Sequence, residues 1–239
     1  MSTQTDRTTT APAPNGAPAP APTGAPAPAP GATPDRLGVG MRLSLHPHTD
    51  DFVGVILGAL ADVEAAGLTA GLVTETDEVS TYVGARTAPA EQRLAAYLTA
   101  LVAAASRRSG GGHVVAHVLL SRGCPGEVSC DLTVTGLPHA EPVAIEPTGI
   151  RAAAQWSLYP LLDGGSDAGD HMAHIEGAIA AAQRRGVAAS PAHYATRLTG
   201  DVADVVATAV DAWAQVGTEV PHVVTHLTIS VGSPSPAQA

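Results

Sequence analysis

The sequence predicts an α+β protein made of two similar βαββαβ units in tandem, with antiparallel sheets that carry their helices on one face. Three observations predict it. First, His113-Val114-Val115-Ala116-His117, running on to Ser121-Arg122-Gly123-Cys124-Pro125, returns as His222-Val223-Val224-Thr225-His226, running on to Ser230-Val231-Gly232-Ser233-Pro234. Second, earlier echoes keep the same order: Ser44-Leu45-His46-Pro47 matches Ser157-Leu158-Tyr159-Pro160, and Ile56, Ala59 and Leu60 match Ile175, Ala178 and Ile179. Together these mark a duplicated unit of roughly 100 residues. Third, the apolar period switches between two and 3.6 in the same order within each half.

Residues 41 to 46 alternate and read as a strand that Pro47 ends. Thr49 is placed to cap a helix with Asp50 and Asp51 in its first turn; Phe52, Val55, Ile56, Ala59, Leu60 and Val63 then recur at helical spacing until Gly67. Short strands follow at about 70–76 and 79–85. A second helix, about 89–107, carries Leu94, Tyr97, Leu98, Leu101 and Val102 on one face, and residues 113 to 121 alternate as a last strand. The second half repeats the plan with a strand at 152–159, a helix at 169–185, strands near 187–199, a helix at 202–215 and a strand at 222–230. The order β-α-β-β-α-β is the ferredoxin-like plan. Domain limits follow: a leader over 1–36, a first repeat over 37–130, a Pro-containing linker over 131–150 and a second repeat over 151–239. One face of each sheet meets its own helices, so the other must meet the second repeat, a dimer partner or a ligand.

The Ala/Pro-rich leader has too little apolar surface to offset its ordering entropy and reads as disordered. It lacks the pattern of a secretory signal, and no stretch reaches the length of a membrane span; the expectation is a cytoplasmic protein. The net charge of −10 disfavours nucleic acid and suits a cationic small molecule. Cys124 and Cys130 are too few for a disulfide framework or a zinc set.

Four groups of residues can carry chemistry. His46-Pro47-His48-Thr49-Asp50-Asp51 resembles metallohydrolase strings, and a metal-dependent hydrolase using His46, His48 and Asp50 is the alternative function. The second copy keeps neither histidine, and carboxylates in a first helical turn are favourable without metal, so no metal is expected. The link from Glu75 to Thr81 presents Thr76, Asp77, Ser80 and Thr81, whose hydroxyls and carboxylate suit a polar heterocycle; its counterpart aligns Thr81 with Thr196. Cys124 and Ser233, each before a proline, offer an SH and an OH at equivalent exits. His113/His117 and His222/His226 each share one strand face and suit packing or interface contacts better than ligation.

On these strings the chain resembles the YkoF family of thiamin/hydroxymethylpyrimidine-binding proteins, from about residue 41 to 235. The landmarks run in order: Ser44-Leu45-His46-Pro47, Asp50-Asp51-Phe52-Val53, Thr76-Asp77, Ser80-Thr81-Tyr82-Val83, Gly123-Cys124-Pro125-Gly126, Ser157-Leu158-Tyr159-Pro160, Tyr194-Ala195-Thr196-Arg197 and Ser233-Pro234-Ser235. The resemblance implies a homodimer and two sites per chain for thiamin or its hydroxymethylpyrimidine moiety. It also implies no catalysis, no cofactor, and a role in uptake or salvage beside a membrane transporter. The ligand-binding residues are expected among His46, Asp51, Phe52, Thr76, Asp77, Ser80, Thr81, Cys124, Tyr159, His171, Tyr194, Thr196 and Ser233, with Asp51, Phe52, Asp77, Ser80 and Thr81 converging in the first unit and His171, Tyr194 and Thr196 in the second. Aromatic residues are 3% of the chain, so stacking falls to a few rings, Phe52 and Tyr194 among them. His171-Met172 departs from the family's aromatic-plus-Met pair, and Gly164-Gly165-Ser166 lengthens the loop before it, so the second site is expected to be weaker.

Overall fold

The computed structural model describes residues 33–123, 141–161, 170–220 and 222–235. The first half runs β1 (Gly40–Pro47), α1 (Phe52–Ala65), β2 (Leu72–Thr76), β3 (Thr81–Ala85), α2 (Ala90–Arg108) and β4 (Val114–Arg122). The second runs β5 (Arg151–Pro160), α3 (His171–Arg184), β6 (Ala188–Ala192), β7 (Ala195–Asp201), α4 (Val202–Val216) and β8 (Val223–Val231). The order βαββαβ therefore occurs twice, and each predicted element is present within about two residues of its expected limits.

The sequence left open how the halves meet. They meet edge to edge, in one antiparallel eight-stranded sheet of order β2-β3-β1-β4-β8-β5-β7-β6. The seam is β4 against β8, in register from Val114↔Val231 to Arg122↔Val223. Both strands are long, alternate cleanly and lie at the border of their own half, so each satisfies the other's free backbone edge.

Alternation then divides the sheet into two faces. Val114, Ala116, Val118 and Leu120 of β4, and Val223, Leu227, Ile229 and Val231 of β8, point into one core shared with all four helices. The intervening residues, Val115, His117, Leu119 and Ser121 with Val224, His226, Thr228 and Ser230, form an open face that no element of this chain covers among the described residues. Helices α2 and α4 pack on each other across the seam, carrying the core from one half to the other. Tyr82 lies flat on the open face because Gly40 and Gly84 lie beneath it. A Cβ on Gly84 would come within 2.5 Å of the Tyr82 hydroxyl oxygen.

Candidate functional site

Register creates the site. β1 pairs with β3 only from Gly40 to Leu43, although it pairs with β4 along its whole length. From Ser44 to Pro47 the edge of β1 facing away from β4 has no strand partner among the described residues, which leaves a notch beside the start of α1. Leu45, His46, Pro47, His48, Thr49, Asp50, Phe52 and Ile56 line a cavity of about 620 Å³ there. Leu45, Phe52 and Ile56 give it an apolar wall, and the histidines, Thr49 and Asp50 a polar rim. That balance suits a small heteroaromatic ligand.

The second half repeats the construction. β5 pairs with β7 only as far as Trp156, so among the described residues Ser157 to Pro160 again face no strand on that side. Matching backbone bonds close the far side of each notch: His48 N donates to His113 O at 2.8 Å, and Leu161 N to His222 O at 2.9 Å. Asp51 caps α1 by accepting from Gly54 N, and Asp170 caps α3 by accepting from Met172 N. Phe52 and His171 are thereby the equivalent first helical residues.

Asp51 is itself the N-cap; the sequence reading placed Thr49 there. The Asp51 carboxylate reaches Gly54 N at 3.2 Å, while Thr49 Oγ1 accepts from Asp51 N. His46 and Phe52 meet at the first notch. Asp77 and Ser80 do not line that cavity; both are held by Arg42 of β1, whose Nη1 donates to Asp77 Oδ2 and to Ser80 Oγ, both at 2.8 Å. Asp77 Oδ1 also accepts from Val79 N and Ser80 N at 2.8 Å, so the carboxylate holds the turn as well. Arg42 first, then these two amides, hold its carboxyl down at about 2. Thr76 and Thr81 bond one another, Oγ1 to Oγ1 at 3.0 Å, on the helix side of the sheet.

In the second half Ser157 Oγ donates to the Tyr194 carbonyl at 3.3 Å, fastening the two-residue turn between β6 and β7 to the notch. Tyr194 adopts φ 61°, the left-handed region, and its side chain is fully exposed. Tyr159 lies half-exposed on the open face, and Thr196 pairs in register with Trp156 on the helix side. Cys124 lies outside the described residues.

Antiparallel pairing at the seam decides where Ser233 emerges. The start of β4 meets the end of β8, so Ser233 emerges at the end of the sheet where β1 meets α1. A Cβ on neighbouring Gly232 would touch the carbonyls of Gly111 and Gly112 at 2.6 Å. Ser233 therefore faces the first notch's end of the sheet. Nothing in one strand's pattern states which partner it will choose, so the sequence does not reveal this placement.

Histidines line the route from notch to seam. The rings of His48 and His113 are 4.4 Å apart, and those of His46 and His117 5.4 Å. Ser44 Oγ, Ser230 Oγ and Thr228 Oγ1 bond His46, His113 and His117 in turn. Partial burial first, then His117 and His48, pushes the His46 pKa below its usual value; burial, then His48, does the same to His113. The folded state thus favours neutral rings. Their contribution is present above about pH 6.5 and lost as pH falls below it. Replacing His46 and His113 together by Gln is expected to flatten the loss of melting temperature between pH 7.5 and 5; an unchanged slope would show that other groups set it. His46, His48 and Asp50 do share the cavity wall, yet no group of three or more His, Cys, Asp or Glu side chains among the described residues is placed to hold a metal ion.

Comparison with known proteins gives this geometry its relatives. A protein of Bacillus subtilis (strain 168) named "Putative HMP/thiamine-binding protein YkoF" is 31% identical over 198 residues, covering 82% of this chain and 91% of that protein. This chain belongs to the YkoF family. The model of the YKOF-related family matches residues 151–236, the second half of the chain. Both notches of this YkoF-family chain lie within the mixed α+β framework, and no helix among the described residues is long and apolar enough to cross a membrane.

Proposed function

We propose that this chain is a non-catalytic binding protein for thiamin or its hydroxymethylpyrimidine moiety, with one site at each notch of a duplicated ferredoxin-like unit. The observation that carries the reading is the paired notch. In both halves the first strand outruns its hairpin partner and leaves a free backbone edge beside a capped helix start. An aminopyrimidine offers a ring acceptor and an exocyclic donor, which suit a backbone edge and neighbouring hydroxyls. Phe52 covers the ring in the first notch, with His171 and Tyr194 supplying the second. The name of the Bacillus subtilis relative supports the ligand class.

The protein serves uptake or salvage of thiamin precursors in the cytoplasm, beside a membrane transporter. It works as a homodimer that covers the open sheet face, where Leu119 and Tyr159 are exposed. The test is thermal. A ligand at one hundred times its Kd stabilises by about 2.7 kcal/mol, or about 5–10 °C for a chain of this size. Thiamin and hydroxymethylpyrimidine are each expected to raise the melting temperature, and a chelator to leave it unchanged. A chelator-induced fall with no response to either ligand would favour the hydrolase instead.

A further inference from the structure

We propose that the first notch is a proton-linked site: the histidine cluster at its wall has to be neutral for a cationic ligand to stay, so mild acidification empties it before the second notch. This rests on the reading that both notches take a thiamin-like ligand, and it sets the two apart. The cluster comes from register. His46 of β1 lies on the open face diagonal to His117 of β4, and the bond from His48 N to His113 O brings His48 over His113. Of these four, His46 and His48 line the cavity, and each touches a second ring, His117 at 5.4 Å and His113 at 4.4 Å between ring centres. Hydroxyls of Ser44, Ser230 and Thr228 bond His46, His113 and His117.

Charge at the notch then follows pH. Besides the rings, the start of α1 brings the Asp50 and Asp51 carboxylates, and the turn between β2 and β3 brings Asp77, which is paired with Arg42. Glu75 of β2 shares the open face with Tyr82 but lies two strands from β1, His226 of β8 lies across from Leu119, and Arg107 and Arg108 of α2 lie by Asp62. With neutral rings the local balance is negative and suits a thiazolium. Four imidazolium charges beside two carboxylates reverse it. Partial burial, and then the neighbouring rings, already favour the neutral form at His46 and His113. A bound cation adds to that preference, so affinity is full above the range in which the rings take up protons and is lost as pH falls through it.

The second notch is the internal control. Tyr159 stands where the matching strand has His46, and Leu161, by its bond from N to His222 O, where the first half has His48. A phenol and an isobutyl group gain no proton on acidification. His222 and His226 are kept, but the two positions that would line the cavity in front of them no longer titrate. His171 and His193 stand at that end of the sheet, both exposed, where water screens their charge.

The test is an amide-shift titration of the full chain with thiamin at about pH 7.5 and at about pH 5.5, with Phe52 reporting on the first notch and Met172 on the second. From the higher to the lower pH, affinity at the first notch should fall about tenfold, as when two rings must stay neutral, and at the second less than about threefold. Hydroxymethylpyrimidine, which lacks the thiazolium, should lose less at the first notch than thiamin does. His46→Tyr combined with His48→Leu copies the second notch and should remove the difference between the two. Should that variant fold poorly, the wild-type chain decides: at the lower pH the heat of the tighter phase should depend on the ionisation enthalpy of the buffer, because protons leave the rings on binding. A parallel fall at both notches, an equal loss for the pyrimidine, a steep fall retained in the folded variant, or heat independent of buffer would each overturn the inference, while saturable shifts at the higher pH would leave the thiamin reading standing. No shift at Phe52 or Met172 at the higher pH would overturn both.

Discussion

Asp77→Ala is expected to weaken the tighter phase of a thiamin titration by about tenfold or more and to spare the weaker phase. The side chain does three things at once: it accepts from Arg42 and from the amides of Val79 and Ser80. With its carboxyl held down at about 2, it is anionic at every pH at which binding would be measured. Alanine unties the turn between β2 and β3 and removes a carboxylate whose negative charge suits a thiazolium, so loss of order and loss of attraction act in the same direction. Asp77→Asn keeps an acceptor for the turn without the charge and should fall between. Tyr194→Ala should do the reverse and weaken the second phase. Alanine meets the same left-handed backbone constraint at φ 61° as tyrosine, so the change reports on the ring. If both substitutions altered the same phase, the assignment of one site to each half would fail.

Leu98→Ala is expected to unfold the second half along with the first. Leu98 lies fully buried in α2, and truncating such a leucine costs about 2–5 kcal/mol. Both tryptophans, Trp156 and Trp213, belong to the second half and are buried there. Trp156 Nε1 donates to Thr225 Oγ1 at 2.8 Å and Trp213 Nε1 to the Val223 carbonyl at 3.1 Å, so their fluorescence reports on α4, β5 and β8. The β4–β8 seam and the packing of α2 on α4 make one core of the two halves. A loss of about 3 kcal/mol in the first half should therefore lower the tryptophan-monitored midpoint by about 6–12 °C in a single transition. A midpoint equal to wild type would mean that the halves unfold independently.

The element order was legible because each strand and helix states its own period. Val114, Ala116, Val118 and Leu120 alternate whatever their partner, and Leu94, Leu98 and Leu101 recur on one helix face. Pairing was not legible. The sequence leaves open whether the uncovered sheet face meets the second repeat, a dimer partner or a ligand, and the repeats share an edge instead of stacking face to face; that choice depends on two strands a hundred residues apart, and neither names the other. The notches were half legible. His46 and Phe52 stood out as chemistry next to a helix start, but the notch exists because β1 outlasts β3, a matter of length and register. Arg42 escaped notice for a simpler reason. A lone cation on a strand reads as surface, although the alternation that puts His46 outward puts Arg42 on the same face, four residues away. Threonine before two aspartates fits the pattern of a helix cap, which points to Thr49. The helix starts two residues later than that pattern implies, and Asp51 takes the role.

Calorimetric titration of the full chain with thiamin and with hydroxymethylpyrimidine is the most direct test of what the paired notches are for. Two molecules bound per chain with unequal affinity, the tighter lost in Asp77→Ala, is the predicted result. No binding heat with thiamin, its phosphates or the pyrimidine at any concentration would contradict it.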